Sequence, residues 1–477
     1  MGDRSKKLCI DLDGTLVRTD TLWESVAWLL KHRFFLFLLI PFWVLRGKVY
    51  FKERIAEVVE LDVATLPYHT ELIEWLKAEK AVGRSIYLVT ASHERTARRV
   101  AEHLGIFDDV IATRVGGPNL KGGAKASLLV ERFGERGFDY AGNHSSDVAI
   151  WERANETIVV NASPSTLRRA KALGNVSKVF ERDGGLWRAW GKAVRPHQWA
   201  KNLLLFVPLF TAHQIFDVEA LGQVAMCFVA FAFCASSVYV LNDLLDLESD
   251  RLHEEKRKRP FASGALGVEE GLVAFPLLLV MGFGVAYLLP EAFLTVLCVY
   301  YAMTVCYSFY FKRVLMLDVL ILGGLYTIRI VAGAAGTGTH LSFWLLAFSM
   351  FIFLSLGFMK RYIELASAQS SGKNGISGRG YVPDDLVQVG ALGSGSAQVA
   401  VLVLAFYLQS EKVASMYQRP EMLWGVCLVF LYWLNRVWLL AHRGLVHHDP
   451  VVYAIKDKTS YVCGAVVCLL MLLALAK

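Results

Sequence analysis

The distribution of apolar residues divides the chain into two parts. Residues 1–193 mix short apolar stretches with charged positions, whereas residues 202–476 consist mostly of apolar runs near the length of about 20 residues that a bilayer requires. We therefore expect a soluble N-terminal part followed by an all-α membrane part. Nine candidate spans are predicted, at about 202–217, 223–242, 269–289, 291–310, 317–336, 342–359, 394–410, 421–441 and 459–476.

The segments between the spans alternate between long basic segments and short segments with few Lys or Arg. Basic segments face the cytoplasm under the positive-inside rule. We therefore expect an integral protein of a bacterial-type inner membrane, with the N-terminal part in the cytoplasm. Because the number of predicted spans is odd, Lys477 is expected outside. The basic segments lie at 243–268, 311–316, 360–393 and 442–458.

In the soluble part, short apolar stretches predict strands that end in polar residues. The first, at about 8–10, ends at Asp11 and Asp13 before a Gly-Thr turn. Two carboxylates placed in this way can serve as nucleophile and as general acid or base. A glycine turn lets the backbone approach a phosphate closely. Further strands are predicted at 85–89 and 138–141.

Three aspartates follow the second predicted span. Asp243, Asp246 and Asp250 are spaced so that a helix would place all three on one face. Acidic groups at the end of a membrane helix are costly and usually functional. Mg²⁺ binds carboxylate oxygens and shares its remaining positions with phosphates. The pattern indicates a site for a magnesium diphosphate, and the alternative is a solvated acidic loop between two spans.

Basic residues near these aspartates suggest further anion binding. Residues 256–264 include Arg257 and could bind phosphate oxygens or act only as an orientation signal. Arg329 lies inside the fifth predicted span, where a buried Arg indicates a partner or an anionic ligand.

The composition narrows the classes of protein to which the chain could belong. The chain has 477 residues, of which 55% are hydrophobic, and this fraction excludes an ordinary soluble protein. The net charge of +7 is explained by basic residues beside apolar segments, so we expect no nucleic-acid partner. The eight cysteines have no paired spacing, and we expect neither a disulfide framework nor a zinc site.

The membrane part resembles the UbiA prenyltransferase superfamily over about 194–477. The resemblance rests on Asn-Asp-x-x-Asp-x-x-x-Asp at 242–250 and on Arg-Pro-x-x-Ser-Gly at 259–264. Three other segments resemble decaprenyl-phosphate phosphoribosyltransferases, which join phosphoribosyl pyrophosphate to a polyprenyl phosphate. These segments lie at 195–202, 360–365 and 449–457.

The resemblance implies that Asp243, Asp246 and Asp250 are catalytic and hold Mg²⁺ on the pyrophosphate. Aromatic prenyltransferases carry a second Asp-rich motif, where this chain has basic residues that suit a second phosphate. Transfer of a prenyl group to an aromatic or other small acceptor is the main alternative, and a transporter is a more distant one. The implied substrate-binding residues are Lys201, Asn242, Arg257, Lys312, Arg329, Lys360, Arg361 and Glu364.

The motif Asp-x-Asp-Gly-Thr at 11–15 resembles the haloacid-dehalogenase superfamily, whose phosphatases form an aspartyl-phosphate. The resemblance implies that Thr90 and Lys125 bind phosphate. It also implies that Asp11, Asp13 and Asp147 hold Mg²⁺. The chain has Asn143 where the family has Asp, so a regulatory or vestigial domain is the alternative.

These resemblances predict an α/β Rossmann-like domain with a helical cap, followed by the membrane domain. The predicted boundaries are 1–180 for the hydrolase, with its cap at about 16–84, 181–193 for a linker, and 194–477 for the transferase. The cap contains an apolar run at 34–46 flanked by basic residues. This run predicts an interfacial helix or re-entrant hairpin, and the alternative is a buried cap core.

Joining the two activities in one chain suggests consecutive steps. The membrane part is expected to make polyprenyl-phosphoryl 5-phosphoribose from phosphoribosyl pyrophosphate and a polyprenyl phosphate. The soluble part is then expected to remove the 5-phosphate.

Overall fold

The computed structural model describes residues 6–114, 120–181, 184–371, 379–446 and 450–475. The chain forms two compact units. The first comprises Met1–Arg195 and Tyr239–Leu277, and the second comprises Pro196–Val238 and Leu278–Lys477. The first unit therefore contains a segment from the predicted transferase, while the domain boundaries at 180 and 194 stay predictions.

A six-stranded parallel sheet forms the centre of the first unit. Its strands are Lys7–Ile10 (β1), Ile86–His93 (β2), Asp109–Thr113 (β3), Phe138–Gly142 (β4), Thr157–Val160 (β5) and Val176–Phe180 (β6). Their order in the sheet is β3-β2-β1-β4-β5-β6. The predicted α/β fold is confirmed, and β1, β2 and β4 correspond to the three predicted strands.

Both faces of the central strand are buried. Leu8 and Ile10 pack into one hydrophobic core, and Cys9 between them packs into another. Strands buried on both faces read as continuous apolar runs, as β1 does. Strand order reverses at β1, because β2 lies on one side of it and β4 on the other. Ligands of open α/β sheets bind at the carboxyl end of such a reversal.

Among the residues that the structure describes, ten α-helices belong to the N-terminal part of this unit, and the first four form the cap between β1 and β2. Their bounds are Thr21–His32 (α1), Phe34–Phe37 (α2), Ile40–Leu45 (α3), Lys48–Val58 (α4), Thr70–Ala81 (α5), Glu94–Leu104 (α6), Gly123–Phe133 (α7), Val148–Trp151 (α8), Pro164–Ala172 (α9) and Leu186–Ala193 (α10).

The cap has a small core of its own, and its apolar run is largely exposed. Trp43 is buried in that core, whereas Phe35 and Leu45 are each 84% exposed. Apolar helices with such exposure suit a lipid interface better than a closed core. The membrane contact of this run stays a prediction.

Eight helices of the described residues are long and apolar enough to cross a membrane. The helices that follow α10 are Val207–Thr211 (α11), Val218–Leu245 (α12), Leu247–Leu252 (α13), Val268–Ala286 (α14), Glu291–Phe309 (α15), Leu317–Thr337 (α16), Phe343–Ser370 (α17), Leu386–Leu408 (α18), Glu411–Ala414 (α19), Trp424–His442 (α20), Pro450–Lys456 (α21) and Lys458–Leu475 (α22). The eight candidate spans are formed by α12, α14 to α18, α20 and α22.

The first of the nine predicted spans differs from the structure. The segment at 202–217 contains the end of a 3₁₀-helix, Pro196–Phe206, followed by the five-residue α11. Pro208 lies in the first turn of α11, where the missing amide hydrogen is tolerated. The α-helix therefore starts anew there and is too short to span a bilayer. The odd-number argument for Lys477 loses its basis, and the sidedness of that end stays a prediction.

Candidate active sites

A cavity of about 400 Å³ lies at the carboxyl ends of the strands in the first unit. Asp11 follows β1 directly, Ser92 lies near the end of β2, and Asn143 follows β4. The parallel sheet thus brings together side chains that are far apart in the chain. The polar lining includes Asp11, Asp13, Asp20, Lys52, Ser92, Lys121, Lys125, Asn143 and Asp147.

Asp11 forms a buried ion pair with Lys125. Lys125 Nζ lies 2.8 Å from Oδ1 of Asp11 and also donates to the hydroxyl of Tyr140 at 2.9 Å. Burial raises the pKa of Asp11 to about 7; Lys125 opposes this rise, and Asp147 adds to it. A nucleophilic carboxylate next to a phosphate-neutralising ammonium fits the roles predicted for both residues.

Asp13 is held in place by two hydroxyl groups. Thr21 donates to Oδ1 through its amide and its hydroxyl, each at 2.8 Å, and Ser92 donates to Oδ2. Thr21 begins α1, so the cap helix fixes the orientation of this carboxylate. An acid or base two residues after the nucleophile requires such fixed geometry.

Asp147 and Asn143 line the same cavity. Oδ2 of Asp147 accepts from the amides of Asn143, at 3.1 Å, and His144, at 2.9 Å. The Asn143 side chain lies against Gly14, where a Cβ would overlap its amide nitrogen. Gly14 has φ +73°, so this turn needs glycine for both space and conformation.

The phosphate-binding strand end differs from the prediction. Thr90 is fully buried, and its hydroxyl accepts from the amide of Ser92 at 3.0 Å. The strand continues to His93, so Ser92 rather than Thr90 lines the cavity. Lys52, which was not predicted, also lines the cavity; it extends from α4 and donates to the Ala91 carbonyl at 2.9 Å. A cap lysine in an insertion of unknown fold has no recognisable motif.

The predicted metal ligands have suitable chemistry but are not gathered tightly. Asp11, Asp13 and Asp147 all line one cavity, and their mutual repulsion contributes to the raised pKa of Asp11. A divalent cation would relieve this repulsion. Within the described ranges, no three His, Cys, Asp or Glu side chains are arranged to hold a metal ion.

The acidic motif also lies in the first unit, where two arginines hold its aspartates. Asp243 pairs with Arg195, and Arg259 bridges Oδ1 of Asp243 at 3.2 Å to Oδ2 of Asp250 at 2.6 Å. Burial raises the pKa of Asp250, and Arg259 opposes the rise. The motif is therefore a buried ion-pair cluster rather than the solvated loop considered as an alternative.

One oxygen of this cluster is available to a cation. Oδ2 of Asp243 is buried and has no hydrogen-bond partner among the residues that the structure describes. Asp246 begins α13 and is half-buried. Asn242 is half-buried in the last turn of α12, whereas Arg257 is exposed. Arg259 contacts the aspartates, and the phosphate contact predicted for Arg257 stays a prediction.

In the second unit, Lys201 and Arg329 share one aromatic ring. Lys201 Nζ lies 5.3 Å and the Arg329 guanidinium 5.8 Å from the ring centre of Tyr326. Arg329 is buried and donates to the side-chain oxygen of Asn202 at 3.1 Å. Nδ2 of Asn202 is buried without a hydrogen-bond partner in the described part of the chain. Arg329 also donates to the Leu325 carbonyl and, at 2.9 Å, to the Tyr300 hydroxyl. A phosphate on Arg329 would have to displace one of these partners, and the anion binding predicted for Lys201 and Arg329 stays a prediction.

Arg361 belongs to a buried network in the second unit. Its Nε donates to Oδ2 of Asp318 at 2.7 Å, and it also pairs with Glu364. Arg379 lies 3.4 Å from the same Asp318 oxygen. The phosphate contact predicted for Arg361 would have to displace one of these partners. Lys360 and Lys312 are half-buried, and their predicted contacts with substrate stay predictions.

Replacing Arg361 with Met should destabilise the protein. Asp318 is fully buried, and removing its closest cation leaves this charge with the longer contact to Arg379 at 3.4 Å and the hydroxyl of Tyr381. Breaking a buried pair in this way costs about 3–5 kcal/mol. Chemical unfolding of purified protein in detergent measures this loss. The exposed Arg313 provides the matched control Arg313→Met, and equal unfolding midpoints for the two variants would contradict the prediction.

Comparison with known proteins assigns both parts of the chain. Residues 203–444 match the UbiA prenyltransferase family, and residues 8–152 match the haloacid dehalogenase-like hydrolase family. The uncharacterized protein y4nM of Sinorhizobium fredii is 38% identical over 472 residues, covering 98% of this chain and 90% of that protein.

Two further similarities concern the membrane part. The decaprenyl-phosphate phosphoribosyltransferase of Mycobacterium tuberculosis is 38% identical over 188 residues, which cover 38% of this chain and 61% of that enzyme. A solved UbiA homolog from Archaeoglobus fulgidus, bound to DMAPP and Mg²⁺, has a TM-score of 0.46 and 14% identity, and the match covers 59% of this chain and 98% of the homolog. The chain belongs to the UbiA prenyltransferase family and carries a haloacid dehalogenase-like hydrolase domain at its N-terminus.

Proposed function

We propose that the protein transfers 5-phosphoribose from phosphoribosyl pyrophosphate to a polyprenyl phosphate and then removes the 5-phosphate. The transfer is assigned to the membrane domain and the dephosphorylation to the hydrolase domain. Partial identity to decaprenyl-phosphate phosphoribosyltransferases supports the first step. The Asp11–Lys125 pair at the sheet's switch point supports the second.

For the transfer, a phosphate oxygen of the lipid attacks the anomeric carbon, and pyrophosphate leaves. The lipid phosphate is already ionised, so no strong general base is needed. Both families typically use Mg²⁺, which would be held by Asp243 and Asp250 and would neutralise charge on the leaving pyrophosphate. Arg195 and Arg259, which contact these aspartates, are placed to bind pyrophosphate oxygens.

In the second unit, Lys201 and Arg329 would bind and orient a phosphate of one substrate. The two cations lie 5.3 and 5.8 Å from the ring centre of Tyr326. Holding two substrates in a reactive geometry supplies a large part of such an acceleration. Lys360 is assigned to the second phosphate, as its position in the motif suggests.

For the dephosphorylation, the Asp11 carboxylate attacks phosphorus and the sugar oxygen leaves with a proton from Asp13. Water then attacks the aspartyl-phosphate, Asp13 takes its proton, and inorganic phosphate is released. Lys125 neutralises phosphate charge at the nucleophile. Mg²⁺ held near Asp11, Asp13 and Asp147 would add to that neutralisation.

The observation that carries the proposal is the joining of the acidic cluster and the hydrolase site in one compact unit. Asp243 and Asp250 form the cluster, and Asp11 with Lys125 forms the centre of the hydrolase site. Because the phosphatase site and the acidic cluster belong to one unit, we expect the phosphatase to act on the lipid product of the transferase.

The test uses purified full-length protein in detergent with Mg²⁺, a polyprenyl phosphate and labelled phosphoribosyl pyrophosphate, with lipid products identified by mass. A ribosyl lipid without the 5-phosphate supports both steps. A phosphoribosyl lipid alone supports transfer and contradicts the dephosphorylation. No labelled lipid, while a known phosphoribosyltransferase runs alongside, contradicts the transfer and favours prenyl transfer to a small acceptor.

A further inference from the structure

The hydrolase cavity is completed by a segment from outside the hydrolase domain. Gly264, Ala265, Gly267, Glu269 and Glu270 line it together with the strand-end residues. This segment follows the basic run of the acidic motif and enters α14. It lies in the same compact unit as the sheet. The residues matched by the hydrolase family end at 152, and this wall lies within residues 203–444, which match the UbiA family.

A buried ion pair holds the segment against the cap. The Arg251 guanidinium forms two hydrogen bonds with the Glu24 carboxylate, at 2.6 and 3.1 Å, and both side chains are at least nine-tenths buried. The Nε of Arg251 donates to the Ala262 carbonyl at 3.0 Å. One arginine thus ties cap helix α1 to the backbone just before Gly264.

The close approach of Gly264 shows how tightly the wall is fitted. Gly264 has φ +73°, and a Cβ there would lie 2.6 Å from Cβ of Arg18 in the hydrolase domain. Only a residue without a side chain allows this contact and this backbone conformation together. The wall is therefore a packed part of the cavity.

Glu269 lines the cavity and carries an unsatisfied carboxylate oxygen. Its Oε2 is buried and has no hydrogen-bond partner among the described residues. Its neighbour Glu270 caps the helix start by accepting from the amide of Gly267 at 3.3 Å. A Cβ at Gly267 would lie 2.5 Å from Oε1 of Glu269, so the glycine leaves room for this carboxylate. A buried acceptor without a donor is costly unless a ligand supplies one.

The other carboxylates of the cavity already have partners. Oδ1 of Asp20 accepts from the amide of Leu22 at 2.8 Å, and Asp13 accepts from Thr21 and Ser92. Glu269 repels Asp20, so a second anionic group is disfavoured beside them. A neutral hydroxyl group satisfies the free acceptor without adding charge.

We propose that Glu269 determines the substrate of the phosphatase by accepting a hydrogen bond from a hydroxyl group of a phosphorylated sugar. The proposal rests on the proposed function, because the sugar is the phosphopentose that the transferase attaches to its lipid. A phosphomonoester without hydroxyl groups leaves Glu269 unsatisfied and gains nothing from it. The segment that follows the transferase motif thereby selects the substrate of the second site.

The test compares two probes on the full-length protein in detergent with Mg²⁺. Ribose 5-phosphate carries hydroxyl groups, and phenyl phosphate carries none. Glu269→Ala should lower kcat/KM for ribose 5-phosphate about 10- to 100-fold, the usual effect of losing a charged hydrogen bond, and should change the value for phenyl phosphate less than about threefold. Glu269→Gln keeps an acceptor oxygen, so its kcat/KM for ribose 5-phosphate should lie between the values for wild type and for Glu269→Ala.

The control is Glu254→Ala, which removes an exposed carboxylate that follows α13 and does not line the cavity. It should leave kcat/KM for both probes unchanged. An equal loss on both probes in both Glu269 variants would assign a structural role to Glu269 and overturn the proposal. No change on ribose 5-phosphate would overturn it as well. If the role of Glu269 is overturned but the wild-type protein hydrolyses the phosphoribosyl lipid, the proposed function still holds. If the wild-type protein hydrolyses neither the two probes nor the lipid, the role of Glu269 and the proposed function are both wrong.

Discussion

Asp11→Asn should stop dephosphorylation and make the phosphoribosyl lipid accumulate while transfer continues. The change keeps the shape of the side chain but removes the nucleophilic charge that pairs with Lys125. Removing a nucleophile costs at least about a thousandfold in rate. Mass analysis of the lipids formed from labelled phosphoribosyl pyrophosphate measures the ratio of phosphorylated to dephosphorylated product.

The control for this variant is Glu131→Gln, which removes an exposed carboxylate from α7, the helix that carries Lys125. It should give the wild-type product ratio. If Asp11→Asn also gave that ratio, the hydrolase domain would not act on the transferase product. Total lipid labelling tests whether the variant still folds, because the transferase needs no chemistry from Asp11.

Asp243→Asn should abolish transfer and leave the phosphatase intact. The Asn cannot pair with Arg195 and Arg259 as a carboxylate does, and it offers a cation only a neutral oxygen. We expect transfer to fall by about a thousandfold or more, as for loss of a central catalytic group. Incorporation of the labelled sugar into lipid measures this rate.

Hydrolysis of ribose 5-phosphate by the same variant provides an internal control. Arg195 and Arg259 are each more than one-fifth exposed, so water can solvate them after the substitution. The protein should therefore fold and keep its phosphatase. Transfer at the wild-type rate would remove Asp243 from the mechanism, whereas a loss of both activities would indicate that the unit itself had failed to fold.

The sequence predicted those features that depend on local pattern. Asp11 and Asp13 could be placed because the buried strand ends before the polar positions 11 and 13, and parallel strands bring their carboxyl ends together. The acidic motif was recognised because its spacing matches a helix face. The membrane helices were recognised by length and hydropathy, with the exception of the segment that Pro208 divides.

Features that depend on distant contacts could not be predicted. Arg361 pairs with Asp318, 43 residues away, and Arg251 pairs with Glu24, 227 residues away. No periodicity links such positions, since packing of separate elements decides them. Arg259 and Arg257 are two residues apart in one basic run, and only the turn that follows α13 determines which of them reaches the aspartates.

The wall of the hydrolase cavity has a consequence for the order of synthesis. The last strand of the sheet ends at Phe180, whereas Gly264–Glu270 are synthesised only after α12. That helix is one of the eight apolar enough to enter the bilayer. A nascent hydrolase domain therefore has an open cavity until the chain has engaged the membrane. Selectivity for its substrate should arise only there, where the lipid is.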